Sequence, residues 1–133
     1  LAILTARGPS APTPAERARG CALAAVTVEA AGRHGLDPAV LAAVAWRESR
    51  WRLAAKRGGH CGAWQVGTRW SGLTCPELQQ AQPGAESGAA ILAWHARHKG
   101  DLRRGLEAYA GCKRGCAWYS GEVLGLARAL TAR

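Results

Sequence analysis

The 133-residue chain has no Phe and no Met, only two Tyr, and half as many acidic as basic residues, 9 against 18. With Phe and Met missing, six Trp carry most of the large aromatic area. Leu1 is not an initiator, so the chain is expected to be processed or cut down from something longer, with the apolar stretch Leu1 to Ala6 the remnant of a signal or of an upstream segment. That stretch is far too short to span a bilayer and no other approaches the length needed, so no stable membrane insertion is expected. No segment alternates convincingly as a strand, and there is no internal repeat or low-complexity tract. His95 and His98 lie three apart and His60 adjoins Cys61, but no Cys-x2-Cys pair accompanies them, so no metal is expected. Between Ser49 and Pro76 there is no Asp or Glu at all.

What is present describes one globular domain. A hydrophobic content of 48% and a charged content of 20% are globular values, and the length allows a core without staples. Residues 1–13, with Gly8, Pro9, Ser10 and Pro12, read as a linker-like lead, and residues 14–133 as the domain. The net charge of +9 points to polyanionic partners or to a solvated arginine-rich surface. The basic residues are scattered without a stripe, so nucleic acid is not the expected partner. Five cysteines favour an oxidising, extracytoplasmic setting: periplasmic, secreted or on a phage particle. Cys61 with Cys75 and Cys112 with Cys116 bracket two polar loops and form the first guess at pairing, which leaves Cys21 to be buried in the first helix.

Helix signals dominate, and the fold class is all-α with at most a small β element near Lys56 to Cys61. Thr13-Pro14-Ala15-Glu16 is a capping box with Pro at the first helical position, predicting a helix from Pro14 to about Arg33. Asp37-Pro38 starts a second. Lys56 to Cys75 is Gly-rich and reads as loops around one short helix, with a further turn at Pro76 to Ala81. Glu86 to Lys99, closed by Gly100, is a buried helix; Asp101 caps Leu102 to Ala110, and Trp118 to Ala132 is the last helix.

The second helix carries Val40, Leu41 and Val44 at helical spacing, and one more turn places Glu48 on the same inward face. A poorly solvated carboxyl disfavours its charged form, which raises its pKa towards the range of a proton donor at neutral pH. The plain alternative is an ion pair with Arg47, Arg50 or Arg52.

Three blocks decide between these: Glu48-Ser49-x-Trp51, Gly62-Ala63-Trp64-Gln65-Val66 and Ala108-Tyr109-Ala110-Gly111, followed by a weaker match at Tyr119 and Val123. In their order and spacing they resemble the catalytic domain of soluble lytic transglycosylases and goose-type lysozymes. The chain departs from that pattern in having Ala63-Trp64 where Leu-Met is usual and Ala110 where Asn is usual, and Lys56, Arg57 and Gly58 stand where a serine is common. The resemblance implies a lysozyme-like fold, Glu48 as the catalytic acid, Gln65 bonding substrate in the cleft, and Tyr109 facing and orienting Glu48. Tyr119 and Trp64 join the substrate-binding candidates, Trp64 as a plane for a sugar ring or as core. Ser49 is also counted with the substrate-binding candidates, as a helix-end hydrogen-bonding group near Glu48 rather than a nucleophile.

An ordinary glycosidase flanks the bond with two carboxylates. With one, sugar chemistry requires Glu48 to protonate the glycosidic oxygen while the substrate's N-acetyl group stabilises the oxocarbenium ion. The resemblance implies that the same Glu then deprotonates the muramic acid C6 hydroxyl, leaving a 1,6-anhydro end. The expectation is a monomeric, cofactor-free enzyme that cleaves the MurNAc–GlcNAc β-1,4 bond of peptidoglycan strands. Its rivals are a goose-type hydrolase and a non-catalytic wall-binding or structural module.

Overall fold

The computed structural model describes residues 12–112 and 114–131. Apart from Pro12 and Thr13, the linker-like lead lies outside the described residues. Eight helices among the described residues surround one small sheet: α1 Pro14–Ala22, α2 Ala24–Arg33, α3 Pro38–Ser49, then β1 Lys56–Arg57, β2 His60–Cys61 and β3 Val66–Gly67, followed by α4 Thr68–Ser71, α5 Cys75–Leu78, α6 Ala81–Lys99, α7 Leu102–Tyr109 and α8 Ala117–Thr131. The strands pair antiparallel in the order β1-β2-β3, with Arg57 opposite His60 and Cys61 opposite Val66. The sheet thus reaches beyond the expected Lys56 to Cys61, because β3 adds the third strand. Among the described residues no helix is long and apolar enough to cross a membrane.

Side-chain caps explain several helix starts. The Thr13 hydroxyl accepts from Glu16 N at 3.1 Å while Glu16 accepts from Thr13 N at 2.8 Å, a complete capping box. Asp37 accepts from Ala39 N at 2.9 Å and Asp101 from Arg104 N at 2.7 Å, opening α3 and α7. The expected single helix from Pro14 to Arg33 is divided at Leu23, whose N–H is shared between the carbonyls of Arg19 at 3.2 Å and Gly20 at 3.1 Å. This break turns Leu23 into the core while Cys21 faces solvent as a free thiol, which corrects its expected burial.

The core lies where α3, α6, α7 and α8 meet, around Leu41, Val44, Leu92, Leu106 and Val123. Trp64 fills its centre with no exposed surface, its Nε1 donating to Leu41 O at 2.9 Å. A Cβ on Gly88 of α6 would stand 3.0 Å from that indole, so the bare backbone makes room for the ring. The Cys61–Cys75 disulfide ties β2 to the start of α5. Next to it, Gly62 adopts φ +84°, and a Cβ there would run into the Leu78 carbonyl.

Candidate active site

Glu48 stands on the last turn of α3, one turn beyond the buried Val44, and is half-buried. Its Oε2 accepts a hydrogen bond from the Tyr119 hydroxyl at 2.7 Å. Burial raises its pKa above the ordinary 4.5, against the opposing pull of the Tyr119 hydrogen bond and of the charges of Arg47, His60 and Arg57. Tyr119 projects from α8, which packs along α3, and its ring is almost wholly buried. Burial and the neighbouring carboxylate push its hydroxyl far above the usual tyrosine range, so it stays a neutral donor.

The resemblance assigned the orienting role to Tyr109, and here the structure differs. The Tyr109 hydroxyl donates instead to Trp64 O at 2.6 Å, which pins the turn carrying Gln65. Its pKa is raised by burial first and then by the negative charge of Glu48, so it lies near the carboxyl without bonding it. Gln65 adopts φ +49°, donates from Nε2 to Gly62 O at 2.9 Å and lines the same cleft as Glu48. Two other candidates do not line the central cleft. Trp64 is core and offers no face to a ligand. The buried Ser49 hydroxyl donates to Ala45 O and Ala63 O and accepts from Arg52 N, so it staples the end of α3 to the Trp64 turn.

The cleft above Glu48 has a volume of about 370 Å³. The β hairpin contributes Arg57 and His60 to its wall, α4 contributes Trp70, and α6 contributes His95. Burial lowers the His95 pKa below 6.5, with help from Lys99 and His98, so the ring is neutral at pH 7. Two further depressions share lining residues with the cleft. Through His95, Ala108 and Gly111 it continues into a depression bordered by Trp94, Lys99 and Arg104. Through Glu48, Arg57 and Gln65 it continues into another bordered by Arg47 and Arg52. Glu48 therefore lies on the wall shared by the central cleft and one of the two depressions that adjoin it.

Among the described residues lining the central cleft, Glu48 is the only carboxylate. Glu107 and Glu122 border the two extensions, but Glu107 accepts from the Ser120 hydroxyl at 2.7 Å and Glu122 pairs with Arg47 at 2.9 Å. Among the described residues no group of three or more His, Cys, Asp or Glu is placed to hold a metal ion. The Cys112–Cys116 disulfide closes the loop after α7 and shapes the rim beyond Tyr109, in the pairing the spacing suggested. Sequence reasoning missed Arg57, His60, Trp70 and His95 as cleft residues, because each is brought in by the hairpin or by helix packing. The one available signal was the Trp in the Gly-rich stretch before Cys75.

No family model matches the chain and no solved structure matches it. An alanine racemase of Streptomyces coelicolor is 31% identical over 118 residues, which cover 86% of this chain. The chain spans about a quarter (25%) of the length of that relative.

Proposed function

We propose that this domain has a lysozyme-like fold and is a lytic transglycosylase that cleaves the MurNAc–GlcNAc β-1,4 bond of peptidoglycan, leaving 1,6-anhydro-MurNAc ends. The observation that carries this reading is a single carboxyl, Glu48, the only carboxylate among the described residues lining the central cleft, with its pKa raised by burial and its Oε2 bonded by Tyr119. The ordered resemblance of the three motif blocks supports it. The match to the racemase covers too little of that protein to carry its activity here.

In the proposed cycle Glu48 enters protonated. Because Oε2 accepts from Tyr119, Oε1 is the oxygen left to hold the transferable proton. That proton passes to the glycosidic oxygen as the C1–O bond breaks, and the substrate's N-acetyl oxygen stabilises the positive charge at C1. Glu48, now ionised, is stabilised by the Tyr119 hydrogen bond and by the charges of Arg47, His60 and Arg57. It takes the C6 hydroxyl proton as O6 bonds to C1, which restores the acid and consumes no water. Gln65 is positioned on the cleft wall to bond a sugar substituent. Oxidative pairing of four cysteines fits an extracytoplasmic site of action.

The test is digestion of purified peptidoglycan with mass analysis of the products. Anhydro ends, lighter by one water than hydrolysed ends and absent with Glu48→Gln, are the expected result. Hydrolysed ends would assign the cleft to a hydrolase, and intact strands to a non-catalytic wall-binding module.

A further inference from the structure

Trp70 is 68% and Trp94 43% exposed, although the same chain buries Trp64 completely. A single exposed aromatic is ordinary, but these two indoles are neighbours, with ring centroids 6.2 Å apart and planes tilted by 54°. Neighbouring histidines hold them in place. The His98 imidazole lies flat against Trp94 at 3.8 Å, and its Nδ1 is hydrogen-bonded to Trp94 O at 2.8 Å. The edge of His95 packs on both indoles, at 5.9 Å from Trp70 and 5.2 Å from Trp94. Side chains restrained this way lose little freedom when a ligand arrives.

Their location says what they would meet. Trp70 lines the cleft that holds Glu48, Trp94 lines its extension, and His95 borders both. Any chain threaded over Glu48 in that direction passes across the two indoles. A pyranose ring in β-1,4 linkage presents a face of axial C–H groups, which an indole plane accepts, and equatorial hydroxyls, which His95, Lys99 and Arg104 along this edge can meet.

We propose that Trp70 and Trp94 form an aromatic platform, a subsite that holds an N-acetylhexosamine ring of the glycan strand away from the bond being cut. This deepens the glycan reading of the cleft and rests on it. The platform adds affinity and register and takes no part in proton transfer.

The experiment uses the full chain carrying Glu48→Gln, so that the ligand stays intact, titrated with the β-1,4 hexamer of N-acetylglucosamine and followed by the indole N–H resonances. Trp70→Phe and Trp94→Phe assign the two signals. Both should shift on binding, while those of Trp51 and Trp64, whose N–H groups donate to Ala42 O and Leu41 O, stay in place. Replacing either indole by Ala should weaken binding about fivefold, the double variant should lose more than about tenfold, and the Phe variants should retain most of the affinity.

Unmoved Trp70 and Trp94 signals, or Ala variants that bind as tightly as the parent, would overturn the platform. So would shifts of the same two signals produced more strongly by a single-stranded DNA oligonucleotide, which would assign the indoles to base stacking. If the wild-type chain cuts peptidoglycan while these indoles stay silent, the platform fails and the Glu48 reading stands. If the hexamer binds on them but no glycan is cut, the platform stands and the catalytic reading fails.

Discussion

Tyr119→Phe separates the arrangement found here from the one the sequence resemblance implies. The substitution removes one oxygen and leaves a buried ring in place, so packing against α3 is kept. What is lost is the hydrogen bond to Glu48 Oε2 at 2.7 Å. A hydrogen bond to a charged group contributes about 1.5–3 kcal/mol, and it favours the ionised carboxylate over the acid by most of that amount. The wild-type Glu48 pKa is already raised by burial, and the Tyr119 bond is the largest influence pulling it back. Removing that bond must raise it further. The alkaline limb of the pH–rate profile, where the acid form is used up, should therefore move to higher pH. The rate at the optimum should fall about tenfold or more as the carboxyl loses its fixed orientation. Titration of the Glu48 carboxyl carbon by NMR reads the same shift without requiring turnover. Tyr109→Phe is the control: its hydroxyl bonds Trp64 O, so its loss should loosen the Gln65 turn and leave the Glu48 titration nearly in place. An unchanged midpoint in Tyr119→Phe, or a larger displacement in Tyr109→Phe, would refute the reasoning.

Four further outcomes are expected. Glu48→Gln should cost at least about 10³-fold in glycan cleavage, since general acid–base transfer contributes about 10²–10⁴-fold and one residue serves both transfers. Because the folded-state pKa of Glu48 is raised, its contribution to stability is full at acid pH and is lost as pH rises through that pKa. The Gln variant should accordingly gain in melting temperature relative to wild type on going from pH 4 to pH 8, and a constant difference would contradict the desolvation argument. Glu16 behaves in the opposite sense. The Arg50 guanidinium at 2.6 Å and the Thr13 cap hold its pKa down at about 2, so this part of stability is present above 4.5 and disappears as pH falls towards 2. Thermal melts of Glu16→Gln should show a flatter acid limb than wild type. Gly62→Ala should cost more than about 3 kcal/mol in urea unfolding, combining left-handed backbone with collision against the Leu78 carbonyl. A midpoint within error of wild type would mean that the turn is not held as described.

Features set by contacts within a few residues were legible in the chain. The Thr13, Asp37 and Asp101 caps each satisfy a donor two or three positions on, so their residue types announce helix starts directly. Glu48 was legible for the same reason, since Val40, Leu41 and Val44 fix the face it shares. What failed depended on distant partners. Tyr109 and Tyr119 are both aromatic residues on late helices, and nothing local says which reaches α3; the bond to Glu48 spans 71 positions. Trp64 could be ligand plane or core until Gly88 was seen to clear a space for it. The break at Leu23 escaped notice because Gly20-Cys21-Ala22-Leu23 carries no Pro. At this position one backbone N–H is shared between two carbonyls, and Cys21 lies on the outside.

The composition that first looked like a surface property bears directly on the site. A lone carboxyl used as acid and then as base must lie neither so deep that it never ionises nor so exposed that it never protonates. Burial by the α3–α8 packing supplies the upward push. The downward pull comes from Tyr119 and from Arg47, His60 and Arg57, two of which arrive opposite one another on the β hairpin. With acidic residues on the hairpin wall, Arg57 would be drawn into an ion pair, as Arg47 is with Glu122. Here the stretch from Ser49 to Pro76 contains no Asp or Glu, so the hairpin can direct positive charge towards Glu48. Under the proposed cycle, the scarcity of acid in this segment thus both leaves Glu48 without a carboxylate partner and preserves the field that would let it serve as acid and then as base.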